Sequence, residues 1–135
     1  MQQRSHTLTF NHLSFPSRDV AATAGFFVRH LEWQATPMGR SCVLKGHGFD
    51  VVIDDAADRP VHWPGNFHIG FEVASLDDLQ SLFERFKAAE VEFVTGLITH
   101  GRGSRFFCRI PGGVLVELNT REDAAEPFRA GFGRA

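Results

Sequence analysis

One motif occurs twice in this chain, and that repetition constrains the fold more than any other feature. Phe10-Asn11-His12-Leu13-Ser14-Phe15 is echoed by Asn66-Phe67-His68-Ile69-Gly70-Phe71; each copy reads His, aliphatic, small, Phe, and the two histidines lie 56 positions apart. Each copy leads into a helical pattern with a polar start and then into short strand-like runs. Self-similarity at a fixed spacing indicates one supersecondary unit used more than once. Here two copies share a 135-residue chain, an ordinary length for one domain.

In the first half, Leu8 to Phe15 alternates as a strand does. Pro16-Ser17-Arg18-Asp19 interrupts it and offers N-cap side chains. A helix is predicted over Val20–Leu31, with Val20, Ala24, Phe27, Val28 and Leu31 on its apolar face. Strands follow near Trp33–Thr36, Arg40–Lys45 and Phe49–Asp54, with Gly39, Gly46 and Gly48 at the turns. Asp55–Gly65 carries Pro60 and Pro64 and reads as a linker.

The second half begins with a strand over Phe67–Val73. Ser75-Leu76-Asp77-Asp78 has the form of a capping box. It opens a helix over Leu76–Ala89 whose inner face is Leu79, Leu82, Phe83 and Phe86. Strands are predicted at Val91–Val94, Ser104–Arg109 and Val114–Asn119, with Pro111-Gly112-Gly113 as the last hairpin turn. In the weakly patterned tail, Phe128 and Phe132 are expected to cover a hydrophobic edge. The pattern is βαβββ twice. It implies an α+β fold in one domain over residues 1–135, with module one at about 7–55 and module two at about 66–120. The two sheets are expected to pair into a half-open, curved barrel with a concave interior.

Three residues on that frame point to chemistry. His12 lies on the first strand of module one, and His68 takes the matching place in module two. Glu117 lies on the last strand, in Val114-Leu115-Val116-Glu117-Leu118. A carboxylate within so apolar a run is costly if it faces the interior unpaired, and a cation would offset that cost. An exposed edge position for Glu117 is the competing explanation. Two imidazoles and a carboxylate form a triad that leaves open positions on a metal. The metal can then polarise a substrate bound through neighbouring oxygens or activate O₂. Strand alternation places Ser14 on the face of His12, and Asn119 on the face of Glu117. Arg105, Phe107 and Arg109 share one face of their own strand. One of the two arginines is expected either to reach the cavity and bind an anionic substrate group or to lie at the surface. His100, in Thr99-His100-Gly101-Arg102-Gly103, reads either as a catalytic base on a mobile loop or as a solvated loop residue.

These segments resemble the glyoxalase, bleomycin-resistance and extradiol-dioxygenase superfamily over about residues 7–120. The resemblance is carried by Phe10-Asn11-His12-Leu13, by Phe67-His68-Ile69-Gly70-Phe71 and by Arg105-Phe106-Phe107 through Pro111-Gly112-Gly113 to Glu117. It implies that His12, His68 and Glu117 bind one divalent ion, with Fe(II) or Mn(II) favoured and Zn(II) or Ni(II) allowed. It also implies catalytic roles for Glu117, His100 and Arg105, and substrate contacts from Ser14, Phe107, Arg105 and Asn119. The expected activity is that of a metal-dependent dioxygenase or lyase. The alternative is a metal-free protein that sequesters a small drug molecule, as bleomycin-resistance proteins do. A homodimer follows by the same analogy. Family members of the glyoxalase I type add a carboxylate on the last strand of module one; aligning the two last strands puts Val52 there. Where other members place a Tyr near the metal, this chain has Phe107, and it contains no Tyr at all.

Charge and composition narrow the partners. The net charge of -2 lacks the basic excess of a nucleic-acid binder. No apolar run reaches the roughly 18–20 residues that cross a bilayer, and Met1–His6 lacks the apolar core of a signal peptide. A cytoplasmic protein acting on a small molecule is expected. Cys42 and Cys108 are not in CxxC spacing and sit in apolar runs, so both are expected to be reduced and buried.

Overall fold

The computed structural model describes residues 6–130. The chain divides into two compact units, the first ending at Val61 and the second beginning at His62. The first contains β1 (His12–Ser17), α1 (Val20–His30), β2 (Gln34–Met38), β3 (Ser41–Lys45) and β4 (Asp50–Asp55). The second contains β5 (His68–Val73), α2 (Leu76–Ala88), β6 (Glu92–Phe93), β7 (Arg105–Arg109) and β8 (Leu115–Thr120), then a single 3-10 turn at Phe128–Ala130. Each unit folds into one open four-stranded sheet, ordered β1-β4-β3-β2 or β5-β8-β7-β6. In each, the first and last strands pair parallel and the others antiparallel. The expected α+β, βαβββ architecture is therefore present twice.

Local chemistry explains why the helices begin where they do. The Asp19 side chain accepts from Ala22 N–H at 3.0 Å, and the Ser75 hydroxyl accepts from Asp78 N–H at 3.0 Å. Each cap satisfies a backbone donor that the first helical turn would otherwise leave orphaned. Both helices cover one face of their sheet. Phe15, Phe27, Leu44 and Ile53 form the buried layer in the first unit; Leu79, Phe86, Phe106 and Leu118 form it in the second. Alternation then turns the remaining residues of every strand to the opposite face, which no helix of the same unit covers.

Three expectations need correction. β1 starts at His12 rather than Leu8 and continues through Pro16 to Ser17, leaving Leu8 91% and Phe10 65% exposed. Pro16 fits because β1 is an edge strand. Asn11 and Ser17 carbonyls accept from the β4 side, so the alternate position, Pro16, turns its missing N–H to the open edge. On α1 the buried residues are Thr23, Ala24, Phe26 and Phe27, while Val28 is 42% exposed. The helix is rotated relative to the predicted stripe because Phe26 packs inward. Phe128 is 45% exposed rather than packed into a core; Phe132 lies outside the described residues.

Glycine is conformationally required at two contrasting places. Gly39 turns β2 into β3 at φ +61° with open space around a would-be Cβ, whereas Gly103, at φ +104°, would bring a Cβ to 1.9 Å from the Thr120 carbonyl oxygen. Cys42 and Cys108 are both free and buried, as expected, and burial pushes the Cys108 thiol up to about 12. Among the described residues, no helix is long and apolar enough to cross a membrane.

Candidate functional site

The helix-free face of the second sheet collects the chemistry. The register sets Gly70 opposite Glu117 and Phe107 on its other side; Glu72, Asn119 and Arg105 form the next row, and His68, Leu115 and Arg109 the row before. Cross-strand partners share a face, so one surface carries an imidazole, carboxylates, an amide and guanidinium groups. β8 lies between β5 and β7 and is buried along its whole length. Glu117 is 6% exposed, which excludes the edge position. A carboxylate so placed needs compensation.

Glu117 has it on three sides. The Asn119 amide Nδ2 donates to Glu117 Oε2. Arg105 Nη1 lies 3.6 Å from Oε1, and His68 Nε2 lies 3.8 Å from the same oxygen. Gly70 keeps the space over the carboxylate open, since a Cβ there would stand 3.9 Å from Glu117 Oε2 and from Asn119 Nδ2. The Phe107 ring meets the His68 ring edge-on, with centroids 5.5 Å apart. Register and contacts also separate the two arginines. Arg109 Nη1 donates to the Gly113 carbonyl at 2.7 Å and its Nε faces Glu92 at 3.8 Å, which ties it to the hairpin, while Arg105 faces Glu117.

The tautomer of His68 follows from its neighbour. Its Nδ1 lies 2.9 Å from the Asn66 carbonyl oxygen. A carbonyl can only accept, so Nδ1 carries a hydrogen, and the ring when neutral presents a lone pair at Nε2. That lone pair lies on the side of Glu117 Oε1. Two electron-pair donors facing one another fit a cation between them, and a hydrogen-bond acceptor on the distal nitrogen is the usual way to orient a metal-binding imidazole. His12 has the same arrangement from a different group: its Nδ1 lies 2.6 Å from Asn11 Oδ1. Among the described residues, no three His, Cys, Asp or Glu side chains converge within either unit; the second unit supplies the His68–Glu117 pair.

The model of the Glyoxalase/Bleomycin resistance protein/Dioxygenase superfamily matches residues 9–118. The chain belongs to this superfamily. Solved structures share the fold at low identity. The genomically encoded fosfomycin resistance protein of Listeria monocytogenes superposes with TM-score 0.74 at 17% identity, covering 92% of this chain and 99% of that one. A glyoxalase/bleomycin resistance protein/dioxygenase from Nocardioides gives 0.73 at 17% identity, covering 95% and 91%. Lactoylglutathione lyase from Agrobacterium tumefaciens gives 0.68 at 16% identity, covering 86% and 96%. No curated protein matches the chain.

The remaining expected site residues of this superfamily member are placed as follows. In the first unit His12 and Ser14 are exposed on the helix-free face, paired with Asp50 and Val52. Pairing Ser14 with Val52 and Gly70 with Glu117 makes Val52 the topological counterpart of Glu117, as the alignment of the last strands anticipates. Asp50 is engaged by Lys45 Nζ at 2.6 Å. His100 makes no hydrogen bond or ion pair with Glu117 or His68 among the described residues; its Nδ1 accepts from Arg102 N–H at 3.1 Å. Nor is its loop loosely held. Arg121 Nη1 donates to the Arg102 carbonyl at 2.7 Å, and Ala125 N–H donates to the Gly101 carbonyl at 2.8 Å. Beside it, Ser104 donates through N–H and hydroxyl to Asp123, at 3.0 and 2.5 Å. Burial pushes the Asp123 carboxyl up, but the Ser104 hydrogen bonds outweigh it and hold the group below the ordinary carboxylate value.

Sequence reasoning missed the two asparagine contacts that orient the histidines. The signal was present, since each motif copy carries an Asn one or two positions before its His, but the two act through different atoms. His30 and His47 are also engaged. The His30 ring packs on Phe26 at 4.8 Å, and His47 Nε2 lies 3.0 Å from the Leu31 carbonyl while its ring packs on Trp33 at 4.7 Å.

Proposed function

We propose that this superfamily member is a metal-dependent enzyme acting on a small substrate chelated through adjacent oxygens, by dioxygenase or lyase chemistry. The carrying observation is the His68–Glu117 pair: an imidazole held with its Nε2 toward a buried carboxylate oxygen, 3.8 Å away. His68 and Glu117 would be two ligands of one divalent ion and His12 the third. Fe(II) or Mn(II) suits this nitrogen–oxygen set best, and Zn(II) or Ni(II) is compatible. The bound ion would supply Lewis-acid polarisation of the substrate oxygens. Asn119 would hold Glu117 in place, Phe107 would wall the site beside His68, and Arg105 and Ser14 would contact substrate. No role at the metal is proposed for His100, which hydrogen-bonds neither Glu117 nor His68 among the described residues. A homodimer is proposed as the working assembly. The names of the fosfomycin resistance and lactoylglutathione lyase relatives favour assays with epoxides and glutathione adducts beside catechols.

One observation favours the second reading, a metal-free sequestering protein: Arg105 already stands 3.6 Å from Glu117 and lends the buried carboxylate a counter-charge. Elemental analysis of untagged protein purified without chelator separates the two. About one divalent ion per chain, lost in the His68→Ala, Glu117→Ala variant, is the expected result. If Fe(II), Mn(II), Ni(II) and Zn(II) neither bind nor stabilise the wild type more than the variant, the enzyme reading fails.

A further inference from the structure

The Arg105 side chain is mostly shielded from solvent but weakly held. It is 13% exposed, and its contacts are long: 3.6 Å from Nη1 to Glu117 Oε1, 3.4 Å from Nε and 3.3 Å from Nη2 to the Gly103 carbonyl. Charge-assisted N–H···O bonds normally close to about 2.7–2.9 Å. Arg109 and Arg121 show that distance in the same unit, each donating at 2.7 Å to a carbonyl. Arg105 therefore acts on Glu117 through charge more than through a formed hydrogen bond. Directly across the ladder from Arg105 is Asn119, which is 4% exposed and whose Oδ1 has no hydrogen-bond partner. The amide already donates its other end to Glu117, so Oδ1 is a fixed acceptor awaiting a donor.

We propose that Arg105 is a stand-in counter-ion for Glu117, displaced by a divalent cation and thereby turned into the binding group for a small anionic substrate. This rests on the metal reading above. Glu117 and Arg105 are opposite charges 3.6 Å apart on that face. A divalent ion at Glu117 Oε1 and His68 Nε2 adds two positive charges beside a guanidinium and withdraws the carboxylate that held it. Repulsion at this range in a buried site is strong, and the guanidinium has a vacant acceptor in Asn119 Oδ1 on which to settle. Its remaining donors, released from Glu117, then favour a carboxylate, phosphonate or similar anion. Cation and anion binding become coupled, and the coupling is reciprocal.

The test is calorimetric titration of Mn(II) into wild type, Arg105→Gln, Arg105→Lys and Glu117→Gln, with and without sulfate as an anion probe. Arg105→Gln removes the competitor and should bind Mn(II) about tenfold more tightly than wild type, a coupling of ordinary size. Arg105→Lys, which keeps the charge, should stay near wild type. Sulfate should tighten Mn(II) binding in wild type and not in Arg105→Gln. Equal or weaker Mn(II) binding by Arg105→Gln, with Glu117→Gln still abolishing it, overturns the counter-ion role while leaving the metal site standing. Sulfate that helps Arg105→Gln as much as wild type overturns the anion role. Absence of Mn(II) binding in every variant sinks the metal reading, and this proposal with it.

Discussion

The two units share strand order, pairing sense and helix position, yet they differ in what their last strand presents. β4 puts Asp50, Val52 and Asp54 on the helix-free face, half-exposed. β8 puts Leu115, Glu117 and Asn119 there, all buried. Val52 meets Ser14 and Val43 across the ladder, whereas Glu117 sits among Gly70, Phe107, Arg105, Asn119 and His68. The backbone scaffold is thus indifferent to chemistry, and what distinguishes the second unit is the set of neighbours that makes a buried carboxylate tolerable.

The largest test of this comparison concerns the turns. Gly103→Ala should cost about 3 kcal/mol or more, because its Cβ would collide with the Thr120 carbonyl oxygen at a φ that disfavours side chains. Gly39→Ala, which meets nothing within 4 Å, should cost only about 1 kcal/mol, the left-handed backbone penalty. Urea unfolding of both variants checks the contrast; equal losses would mean that Gly103 is not anchoring the β7 entry. A smaller effect is expected from moving the carboxylate. Val52→Glu should lower stability by about 1–2 kcal/mol without creating a metal site, since neither Ser14 nor Val43 can compensate the charge. A variant as stable as wild type, or one with new Mn(II) binding, would show that the neighbours of Glu117 are not what matters.

The smallest effect is in acid. The folded-state pKa of Asp123 lies below its ordinary value, so its contribution is present above the unfolded value near 3.9. It is lost as pH falls through the folded value. Asp123→Asn should flatten the decline in stability below about pH 4 and reduce stability modestly at neutral pH. An unchanged acid profile would remove the Ser104–Asp123 link from the list of features that hold the second unit.

The repeat, both helix starts and the position of Glu117 were readable because each depends on local pattern: period-two alternation, a capping side chain, one acid in an apolar run. What escaped depends on distant partners. That Pro16 continues β1 requires knowing that β1 is an edge. Arg105 and Arg109 have the same parity, and only the register of β7 on β8 tells which one reaches Glu117. The 100–103 loop looks mobile in sequence, but Gly101 and Arg102 are tied to residues after β8.

The two histidines are oriented by different kinds of atom, and this bears on how each tolerates genetic change. His12 depends on the side chain of Asn11; a single codon change at position 11 deletes its acceptor. His68 depends on a main-chain carbonyl, that of Asn66, which every residue type supplies. Drift at position 66 therefore leaves the second imidazole aimed as before, while drift at position 11 lets the first one turn. In a library of random variants, position 66 should be permissive and position 11 restrictive, although both begin as asparagine.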